Sequence, residues 1–547
     1  MSNRPPDAKP FDIDAMLGNR GFDTAGPSVR LTGAPKAPTP AVNDNDDTIA
    51  TTRHVRDRLN MRAAVAEIVG DYNSVTGWGT DDTAAILAQL QALSASGGGA
   101  LIIPYSKRPY IGTSFEMPAN TAIRFEHCAN GTHDGLSLGA FSGTLWVSPA
   151  ATITVGNASR IEANLFRAGW QPGITAERVA ATFIGTALLL KSNCANIAIK
   201  GMIVGFEYSI EPQHPDNADG SKQHNRIDIS VVVDCINGPH IHNSYDIGRH
   251  NSIHCWPFTN VANTGAAADP GGAHLKRGGY SLWLSGVNDW TMVFQHFSYG
   301  YAIGCRITNC GSVTVINGAH DHVPGSADGS IGYLIEGNAR EITLVAPQVA
   351  GKEYGIVINS NTPSGRLAVE LVSPRLWVTK TVALDIRGGS VKVTGGTIRN
   401  DPVTTPNGIG VKNRNTGSAE VTLIGVDFRG LAKAIENQAS TAVLRHWLCT
   451  FRACPVLITD AYMPVIASAA TIAPNGVDTV LQMTGTVNVQ AISSPQRYTG
   501  KMVTFICVNG LSFLTSGNVV TRSGAALAVA AGKTFTAVSD GVNWYEV

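Results

Sequence analysis

The feature that most constrains this chain is a short motif that returns about every two dozen residues between about Asn196 and Asp460. Each copy has about three to five residues that alternate in polarity, a Gly or Pro corner, a second short apolar run and a polar loop. Successive late copies start about 22 to 29 residues apart, a period typical of stacked repeats. The clearest copies are Ile197–Gly201, Ser312–Ile316, Ile342–Pro347, Val391–Gly396 and Val421–Gly425.

Segments this short, with period-2 alternation and many Thr and Val residues, are typical of half-buried β-strands. One such unit cannot bury its own apolar face, so it must stack on the next unit. Helical repeats would need segments of about 10 to 15 residues with a 3.6-residue period, and this region shows none. The sequence therefore predicts an all-β fold, a right-handed parallel β-helix.

Composition agrees with a solenoid and argues against several classes of partner. The chain has 58 Gly among 547 residues, and only 15% of its residues are charged, whereas globular proteins average about 7% Gly and about 25% charged residues. The formal net charge is +0, so we expect neither nucleic acid nor an anionic membrane as a partner. The N-terminus lacks the apolar run of a signal peptide, and no apolar stretch is long enough to predict membrane insertion.

The nine cysteines lack CxxC spacing. The closest pairs, Cys305 with Cys310 and Cys449 with Cys454, fall within repeats and are interpreted as small buried apolar side chains. Such usage is typical of a protein made in a reducing cytosol.

Two segments precede the repeats. Residues 1 to about 50 are rich in Pro, Asp, Asn and Ala, a composition that cannot build its own core, so this segment is either a flexible tail or ordered on a partner. From Asp47 to about Ile68 the pattern predicts a short linker helix.

A specific local signal follows from Gly70 to Gly112. Thr80, Asp81 and Asp82 offer side-chain oxygens to a helix start, an apolar helix face follows, and three glycines at 97–99 end the helix. We expect this helix to cover the open end of the solenoid and the Asp pair to cap the helix, with a catalytic carboxylate pair as the alternative. The apolar face consists of Ile86, Leu87, Leu90 and Leu93.

The motif Gly79-Thr80-Asp81-Asp82-Thr83, followed by the three glycines and Pro104, resembles the N-terminal motif of the pectate-lyase-like β-helix superfamily, which includes many bacteriophage tailspikes and tail fibres. The segment His240–Phe258, ending in Ile-His-Cys-Trp-Pro-Phe, resembles a recurring coil of phage tail proteins in that superfamily. The resemblance departs at Trp78 and at Tyr105, and it implies fold without specifying a reaction.

After about Ile466 the repeat stops and short alternating strands separated by Gly, Asn and Ser predict a small all-β domain. Its Trp-Tyr-Glu-Val ending resembles the C-terminal β-domains of phage tail fibres, which trimerise or contact a receptor. We therefore divide the chain into 1–64, an N-terminal virion-attachment segment with the linker helix; 65–462, the β-helix; and 463–547, the C-terminal β-domain.

Polysaccharide chemistry on a β-helix requires aromatic platforms for sugar faces and carboxylates for acid and base catalysis. The middle repeats supply three candidate catalytic carboxylates, Asp289, Asp321 and Glu336, and four candidate carbohydrate-binding aromatics, Trp256, Trp283, Trp290 and Tyr299. If the repeats are in register, Asp289 and Asp321 lie on neighbouring coils about 5 Å apart. A carboxyl separation of about 5 to 5.5 Å would favour retaining hydrolysis, and about 6.5 to 9.5 Å inverting hydrolysis.

Structural roles compete with each of these assignments. Asp and Asn at β-helix corners commonly accept hydrogen bonds from backbone N–H groups, and the aromatics can pack in the core or between subunits. His240 and His242 share a strand face, as do His320 and His322, but no third ligand follows at a recognisable spacing. We therefore expect no metal and no cofactor, and a calcium-dependent lyase is disfavoured because no carboxylate triplet falls in one repeat.

Together these features predict a homotrimeric phage tailspike or tail fibre, located in the virion tail and made in the cytoplasm of the host bacterium. Its N-terminal segment would attach to a baseplate or tail protein, and its β-helix would bind host surface polysaccharide and degrade it, by hydrolysis rather than elimination. Two alternatives stay open: a receptor-binding or structural fibre without enzymatic activity, and a free bacterial polysaccharide-degrading enzyme.

Overall fold

The computed structural model describes residues 22–23, 30–31 and 67–547, except 75, 127–142, 171–182, 214–223, 258–276, 322–328, 363–365, 378–380, 401–407, 416–418, 440–442, 461–464, 475–479 and 494. The chain forms two compact units, Met1–Val65 and Ala66–Val547. In the first unit, strand Phe22–Asp23 pairs antiparallel with strand Arg30–Leu31. The predicted linker helix lies almost entirely outside the described residues.

The second unit is built mainly from parallel strands that stack coil upon coil, which confirms the predicted β-helix. Each middle coil has three strands, and each strand pairs in register with its counterparts in the coils before and after it. The two shorter strands of a coil belong to one 25-stranded sheet, and the third strand belongs to a separate sheet of nine strands that continues an earlier sheet of four. We call the corresponding columns of strands the first, second and third stacks.

The strands alternate between stacks along the chain. The first stack consists of Gly99–Ile103, Thr121–Phe125, Arg160–Glu162, Arg249–Asn251, Met292–Phe294, Thr314–Ile316, Ile342–Val345, Leu367–Val372, Ser390–Thr394, Glu420–Ile424 and Val443–Trp447. The second stack consists of Tyr110–Ile111, Thr144–Val147, Asn164–Arg167, His254–Cys255, Phe297–Tyr299, Ala319–Asp321, Gln348–Ala350, Arg375–Trp377, Thr397–Arg399, Asp427–Arg429 and Thr450–Arg452. Two long strands, Cys194–Val204 and His224–Asp234, run through both stacks, and Ser244–Tyr245 pairs with the second of them.

The third stack closes each coil. It consists of Phe115–Glu116, Ile153–Val155, Thr186–Leu190, Tyr208–Pro212, His240–His242, Arg277–Ser285, Tyr301–Thr308, Ile331–Gly337, Tyr354–Ser360, Val382–Gly388, Ile409–Asn413, Lys433–Asn437 and Val456–Asp460.

The core is a continuous apolar interior that runs the length of the solenoid. Inward side chains such as Val293, Val315 and Leu344 are Cα partners across successive coils and are fully buried. Coils from Met292 to Arg445 contain about 22 to 30 residues each. All five repeats predicted from the sequence overlap strands of the first stack, because each carries the period-2 alternation that buries one face.

The predicted capping helix is present as helix α1, Thr83–Ala95. Ile86 and Leu90 are fully buried in the same core as strand Gly99–Ile103, so the helix covers the first coil as expected. The three glycines that follow all have positive φ. At Gly98, with φ +111, a Cβ atom would lie 2.6 Å from the backbone oxygen of Asn120, so only glycine fits this turn.

Of the Asp pair that precedes the helix, Asp81 has the predicted capping role and Asp82 has a different one. The Asp81 carboxylate does accept from the backbone N–H of Thr83, at 3.0 Å. The buried Asp82 makes no side-chain capping hydrogen bond to the helix; instead it accepts from the N–H groups of Val69 at 2.6 Å and Gly70 at 3.0 Å. Asp82 therefore fixes the incoming segment to the start of the helix.

The C-terminal residues form strands around a separate apolar core that includes Leu481, Phe505, Phe535 and Trp544. Strands Val465–Ala467, Val480–Thr484 and Met502–Cys507 pair in parallel. Strand Thr534–Ser539 pairs antiparallel with Met502–Cys507 and with Trp544–Glu546. The elements are Val465–Ala467, Thr471–Ile472, Val480–Thr484, Ala491–Ile492, the 3₁₀ helix Pro495–Tyr498, Met502–Cys507, Leu511–Phe513, Val519–Val520, Leu527–Val529, Thr534–Ser539 and Trp544–Glu546. The assignment of this segment to trimerisation or receptor contact stays a prediction.

The predicted cysteine roles can be checked at eight positions, where the thiols are all free. Cys305, Cys310 and Cys454 are buried and Cys449 is half-buried. Burial raises the pKa of the Cys310 thiol to about 12, so this side chain behaves as a small apolar group.

Candidate functional site

The structure distributes the seven candidate residues over three places. Trp256, Tyr299 and Asp321 lie together on the outer face of the second stack. Trp283 and Glu336 lie on the third stack. Asp289 and Trp290 precede strand Met292–Phe294 of the first stack.

The residues on the second stack form a column because its strands are short and in register. In each three-residue strand the middle side chain points into the core, as Ser298 and His320 do, and the flanking side chains point outward. Tyr299 and Asp321 are Cα partners in successive coils. The ring of Trp256, one coil earlier, stacks on Tyr299 with centroids 4.7 Å apart and an interplanar angle of 25°.

The same column continues beyond Asp321. Its next outward positions are Ala350, Trp377 and Arg399, each the Cα partner of the one before. The Arg399 guanidinium lies 4.8 Å from the centroid of the Trp377 ring, a favourable cation–π arrangement. We call Trp256, Tyr299, Asp321, Ala350, Trp377 and Arg399 the outer column.

Sequence reasoning did not identify Trp377 or Arg399. A signal was nevertheless available, because Trp377 ends a three-residue segment that follows a Ser-Pro corner, and Arg399 ends one that follows a Gly-Gly corner. Aligning repeats on their second corner, rather than on their first strand, places these residues with Tyr299 and Asp321.

Asp321 has an unusual environment for a surface carboxyl. It is half-buried, and its Oδ1 atom has no hydrogen-bond partner within the described part of the chain. Burial raises the pKa of Asp321, and the positive charge of the fully buried Lys352 opposes this only in part. Burial also raises the pKa of the neighbouring Tyr299 hydroxyl, with a smaller contribution from the charge of Asp321. A carboxyl that retains its proton to higher pH than usual is suited to general acid catalysis.

Asp289 is not near Asp321, contrary to the expected juxtaposition. The carbonyl of Asn288, the residue before Asp289, accepts a hydrogen bond from the N–H of Gly311 in the next coil, at 3.2 Å. Strand Thr314–Ile316 separates Gly311 from the strand that ends at Asp321, and the Cα partner of Asp321 is Tyr299. The expectation was wrong because the two carboxylates occupy different corners of the coil.

Trp290 is 63% exposed and lies at positive φ next to Asp289. No ring or cation contact of Trp290 is present among the residues the structure describes. Its role as a sugar platform stays a prediction, separate from the outer column.

Trp283 lies in a second outward-facing cluster, on the third stack. His240 stacks on its ring with centroids 3.9 Å apart and an interplanar angle of 7°. The Arg306 guanidinium lies 4.4 Å from the same ring. Because His240 and Arg306 come from the coils before and after Trp283, they cover its two faces. A sugar would therefore meet the edge of Trp283 rather than a face.

Glu336 belongs to the same cluster and is held by two contacts. Its carboxylate forms an ion pair with Arg306 at 2.7 Å and accepts from the Thr308 hydroxyl at 3.2 Å. These contacts favour a structural role for Glu336, although its catalytic assignment is not tested by them.

The two predicted histidine pairs have different surroundings. His240 and His242 both lie within 2.7 Å of the Ser285 hydroxyl, measured from His240 Nε2 and His242 Nδ1. His320 is fully buried against Ser298, and His322 lies outside the described residues. No group of three or more His, Cys, Asp or Glu side chains arranged for a metal ion occurs in the described ranges.

Comparisons with known proteins give structural similarity only. No family model and no curated protein matches the sequence. A mutant tailspike protein of the E. coli bacteriophage HK620 in complex with a pentasaccharide is similar at 11% identity, with 84% of each chain covered and a TM-score of 0.42. An A-module of an Azotobacter vinelandii mannuronan C-5 epimerase is similar at 12% identity, covering 72% of this chain and 98% of that one, with a TM-score of 0.28.

Tailspike protein 3 of bacteriophage CBA120 is also similar, at 12% identity, covering 76% of this chain and 64% of that one, with a TM-score of 0.27. The fold assignment rests on the strand pairing of the chain itself. Among the described helices, none is long and apolar enough to cross a membrane.

Proposed function

We propose that this protein is a phage tailspike that binds a polysaccharide of the host surface along the outer column and hydrolyses it with Asp321 as the proton donor. The observation that carries the proposal is the position of Asp321. A half-buried carboxyl with a raised pKa lies between a stacked aromatic pair on one side and a small residue on the other.

The outer column has the chemical features that a linear sugar chain requires. Trp256 and Tyr299 offer stacked aromatic rings before Asp321, and Trp377 offers a third ring two coils after it. Coils are spaced about 4.8 Å apart, so Trp256 and Trp377 lie about four coils, or roughly 19 Å, apart along the axis. Ala350 lies between Asp321 and Trp377, so the column has its smallest side chain directly beside the carboxyl. Aromatic platforms on both sides of a proton donor would hold a polysaccharide across it.

The upward shift of the Asp321 pKa favours hydrolysis over elimination. A glycosidase needs a carboxylic acid that protonates the leaving oxygen, and burial shifts the pKa of Asp321 in the direction that this role needs. An eliminating enzyme would need a base with an accompanying carboxylate-binding site.

The tail-protein assignment is supported by sequence resemblance at three positions. The Gly79–Thr83 motif, the His240–Phe258 coil and the C-terminal Trp-Tyr-Glu-Val ending each resemble phage tail proteins. The proposal includes a homotrimer located in the virion tail, attached to a baseplate or tail protein through the N-terminal segment. Size measurement by light scattering tests the trimer, and a monomer would favour the free bacterial enzyme instead.

The decisive experiment incubates the purified protein with capsular polysaccharide, O-chain and exopolysaccharide fractions while new reducing ends and the absorbance of unsaturated uronates are followed. We expect reducing ends without the chromophore. Asp321→Asn should lower the rate by about 10²- to 10⁴-fold. The matched control is Asp427→Asn, an outward carboxylate of the same stack that is paired with Arg429 and Thr450.

Two further variants distinguish the alternatives. Trp256→Ala should weaken binding to the cleaved fraction by roughly 1 kcal/mol, about fivefold in Kd. Asp289→Asn tests the loop carboxylate, and loss of activity there with retention in Asp321→Asn would move the site to that corner. Binding by the wild-type protein without any product would leave a receptor-binding fibre.

A further inference from the structure

A second set of reactive groups lies on the outer face of the third stack, away from the outer column. His240 Nδ1 lies 3.0 Å from the Glu211 carboxylate, and His240 Nε2 lies 2.7 Å from the Ser285 hydroxyl. A hydroxyl, a histidine and a carboxylate in this order are the arrangement that activates a nucleophilic serine. We infer that Ser285, His240 and Glu211 form an ester-hydrolysing site, with Ser285 as nucleophile, His240 as general base and Glu211 as the residue that orients His240.

The hydrogen bonds around His240 favour the tautomer that this role needs. Glu211 accepts on its other oxygen from the Tyr280 hydroxyl, at 2.5 Å. Burial, followed by the charge of Glu211, raises the pKa of Tyr280, so Tyr280 remains a donor. With both carboxylate oxygens accepting, His240 donates its Nδ1–H to Glu211, and its Nε2 is left to accept from Ser285.

His242 makes the second hydrogen bond to the Ser285 hydroxyl. Ser285 has one hydroxyl hydrogen, which it donates to His240 Nε2. His242 Nδ1, 2.7 Å from the same oxygen, then acts as a donor to Ser285. The serine oxygen then donates one hydrogen bond and accepts one, so one lone pair is left for attack on a carbonyl carbon.

The orientation of Ser285 separates it from the other Ser–His pairs of the solenoid. Ser281 with His296 and Ser298 with His320 are fully buried within the core, and the second nitrogen of each of these histidines has no partner among the described residues. Ser285 follows the inward Leu284 and shares its outward face with Trp283. It therefore pairs a carboxylate-oriented histidine with a serine on the outward face of its strand, although both side chains are largely buried.

The chemistry is that of acyl transfer to water. The Ser285 oxygen attacks the ester carbonyl while its proton passes to His240 Nε2, and the tetrahedral intermediate expels the alcohol, which takes the proton from His240. Water then attacks the acyl-serine with the same proton transfers and releases the carboxylic acid. The net reaction converts ester and water to acid and alcohol, with no other reactant.

Access to the site indicates the class of substrate. Because Ser285 is only 5% exposed, a long acyl chain is disfavoured, and we infer a small acyl group such as acetyl. The surrounding Trp283 edge, Arg306 and Glu336 are polar or aromatic groups suited to a polyhydroxylated alcohol. The site would thus remove O-acetyl groups; that they are carried by a polysaccharide rests on the proposed function above.

The first test is independent of any polysaccharide. The protein is incubated with diisopropyl fluorophosphate, and the labelled residue is located by peptide mass spectrometry; we expect one label, on Ser285. p-Nitrophenyl acetate should be hydrolysed by the wild-type protein and at least about 10³-fold more slowly by Ser285→Ala. The control Ser298→Ala changes a buried serine whose histidine, His320, is not oriented by a carboxylate. This variant should keep both the labelling of Ser285 and the hydrolysis of p-nitrophenyl acetate. Folding of each variant is checked by thermal melting.

A second test asks whether Glu211 orients His240 or only stabilises the folded protein. Glu211→Gln should lower kcat by about 10²- to 10⁴-fold with little change in KM, because the amide stabilises the wrong tautomer of His240. Absence of label on Ser285 in the folded wild-type protein, or equal hydrolysis by Ser285→Ala, would overturn the inference. Acetate release from an O-acetylated polysaccharide then identifies the substrate, and its failure while Ser285 is labelled would refute only the polysaccharide part.

Discussion

The buried ion pair between Arg277 and Asp234 provides the sharpest test of how the solenoid is stabilised near its candidate sites. Both side chains are almost fully buried, at 1% and 0% exposure, with nitrogen and oxygen 2.7 Å apart. The Arg277 guanidinium also lies 4.6 Å from the Phe183 ring. Removing one partner of such a pair leaves a charge in a medium that solvates it poorly.

The expected cost follows from that burial. Arg277→Met keeps most of the side-chain volume but removes the cation that pairs with the buried Asp234, which should destabilise the protein by about 3 to 5 kcal/mol. For a unit of about 480 residues the unfolding entropy is roughly 1 kcal/mol per degree, so Tm should fall by about 3 to 5 °C. The matched control is Arg429→Met, because its pair with Asp427 is 40% and 18% exposed. A pair of that exposure should contribute about 1 kcal/mol or less.

Scanning calorimetry of both variants at two salt concentrations checks the reasoning. The Arg277→Met effect should not depend on salt, whereas the smaller Arg429→Met effect should shrink as salt screens it. Adding Asp234→Asn to Arg277→Met should restore part of the lost stability, because the buried negative charge is gone. Equal Tm shifts in the two single variants would refute the argument that burial decides the magnitude.

Three other predictions concern the cap, a turn and Asp321. Asp82→Ala should destabilise the protein by roughly 3 kcal/mol, since two backbone N–H groups lose a charged acceptor, and limited proteolysis should then cleave the segment before helix α1. Gly98→Ala, with φ +111 and a Cβ 2.6 Å from a backbone oxygen, should lower Tm more than Gly425→Ala, where φ is +65 and nothing lies within 4 Å. The pKa of Asp321 is raised in the folded state, so its ionisation costs stability above that pKa; Asp321→Asn should melt higher than wild type at pH 7, and the difference should vanish below pH 3.8, the ordinary value.

The sequence predicted the fold well because strand periodicity is local information. A four-residue alternation such as that of Ile342–Val345 determines which side chains are buried without reference to any other coil. The same reasoning found helix α1, whose apolar positions recur along one face. It assigned Asp82 to the wrong donors because the sequence shows that a carboxylate precedes a helix but does not show which other N–H groups the fold brings to it.

The candidate sites were less predictable because they depend on coil length. Trp256, Tyr299 and Asp321 were each selected as plausible residue types, but their alignment in one column required the corner positions of every coil between them. Coils differ by up to about eight residues, so counting along the chain could not show that Asp289 and Asp321 lie at different corners. The register of the second stack supplies that information.

The Ser285 site was harder still to predict from the sequence. Its nucleophile and its carboxylate are 45 and 29 residues from His240, and only His240 lies in a segment with a recognised resemblance, His240–Phe258, which implies no triad. They meet because Glu211, His240 and Ser285 occupy three successive strands of one stack. A search of outward positions in neighbouring coils for hydroxyl, imidazole and carboxylate groups would have found them.

The division between inward and outward positions explains how one solenoid can hold two separate sites. Inward residues are constrained by a core that continues through every coil, so a change there alters the stability of the whole column. Outward residues are constrained only by their neighbours in the coils before and after, at about 4.8 Å. Trp256, Tyr299 and Asp321 on the second stack, and His240 with Ser285 on the third, lie outside this shared core, so we expect changes there to cost less stability than changes at inward positions. Specificity for a sugar or an acyl group is then expected to depend on these outward columns and not on the core.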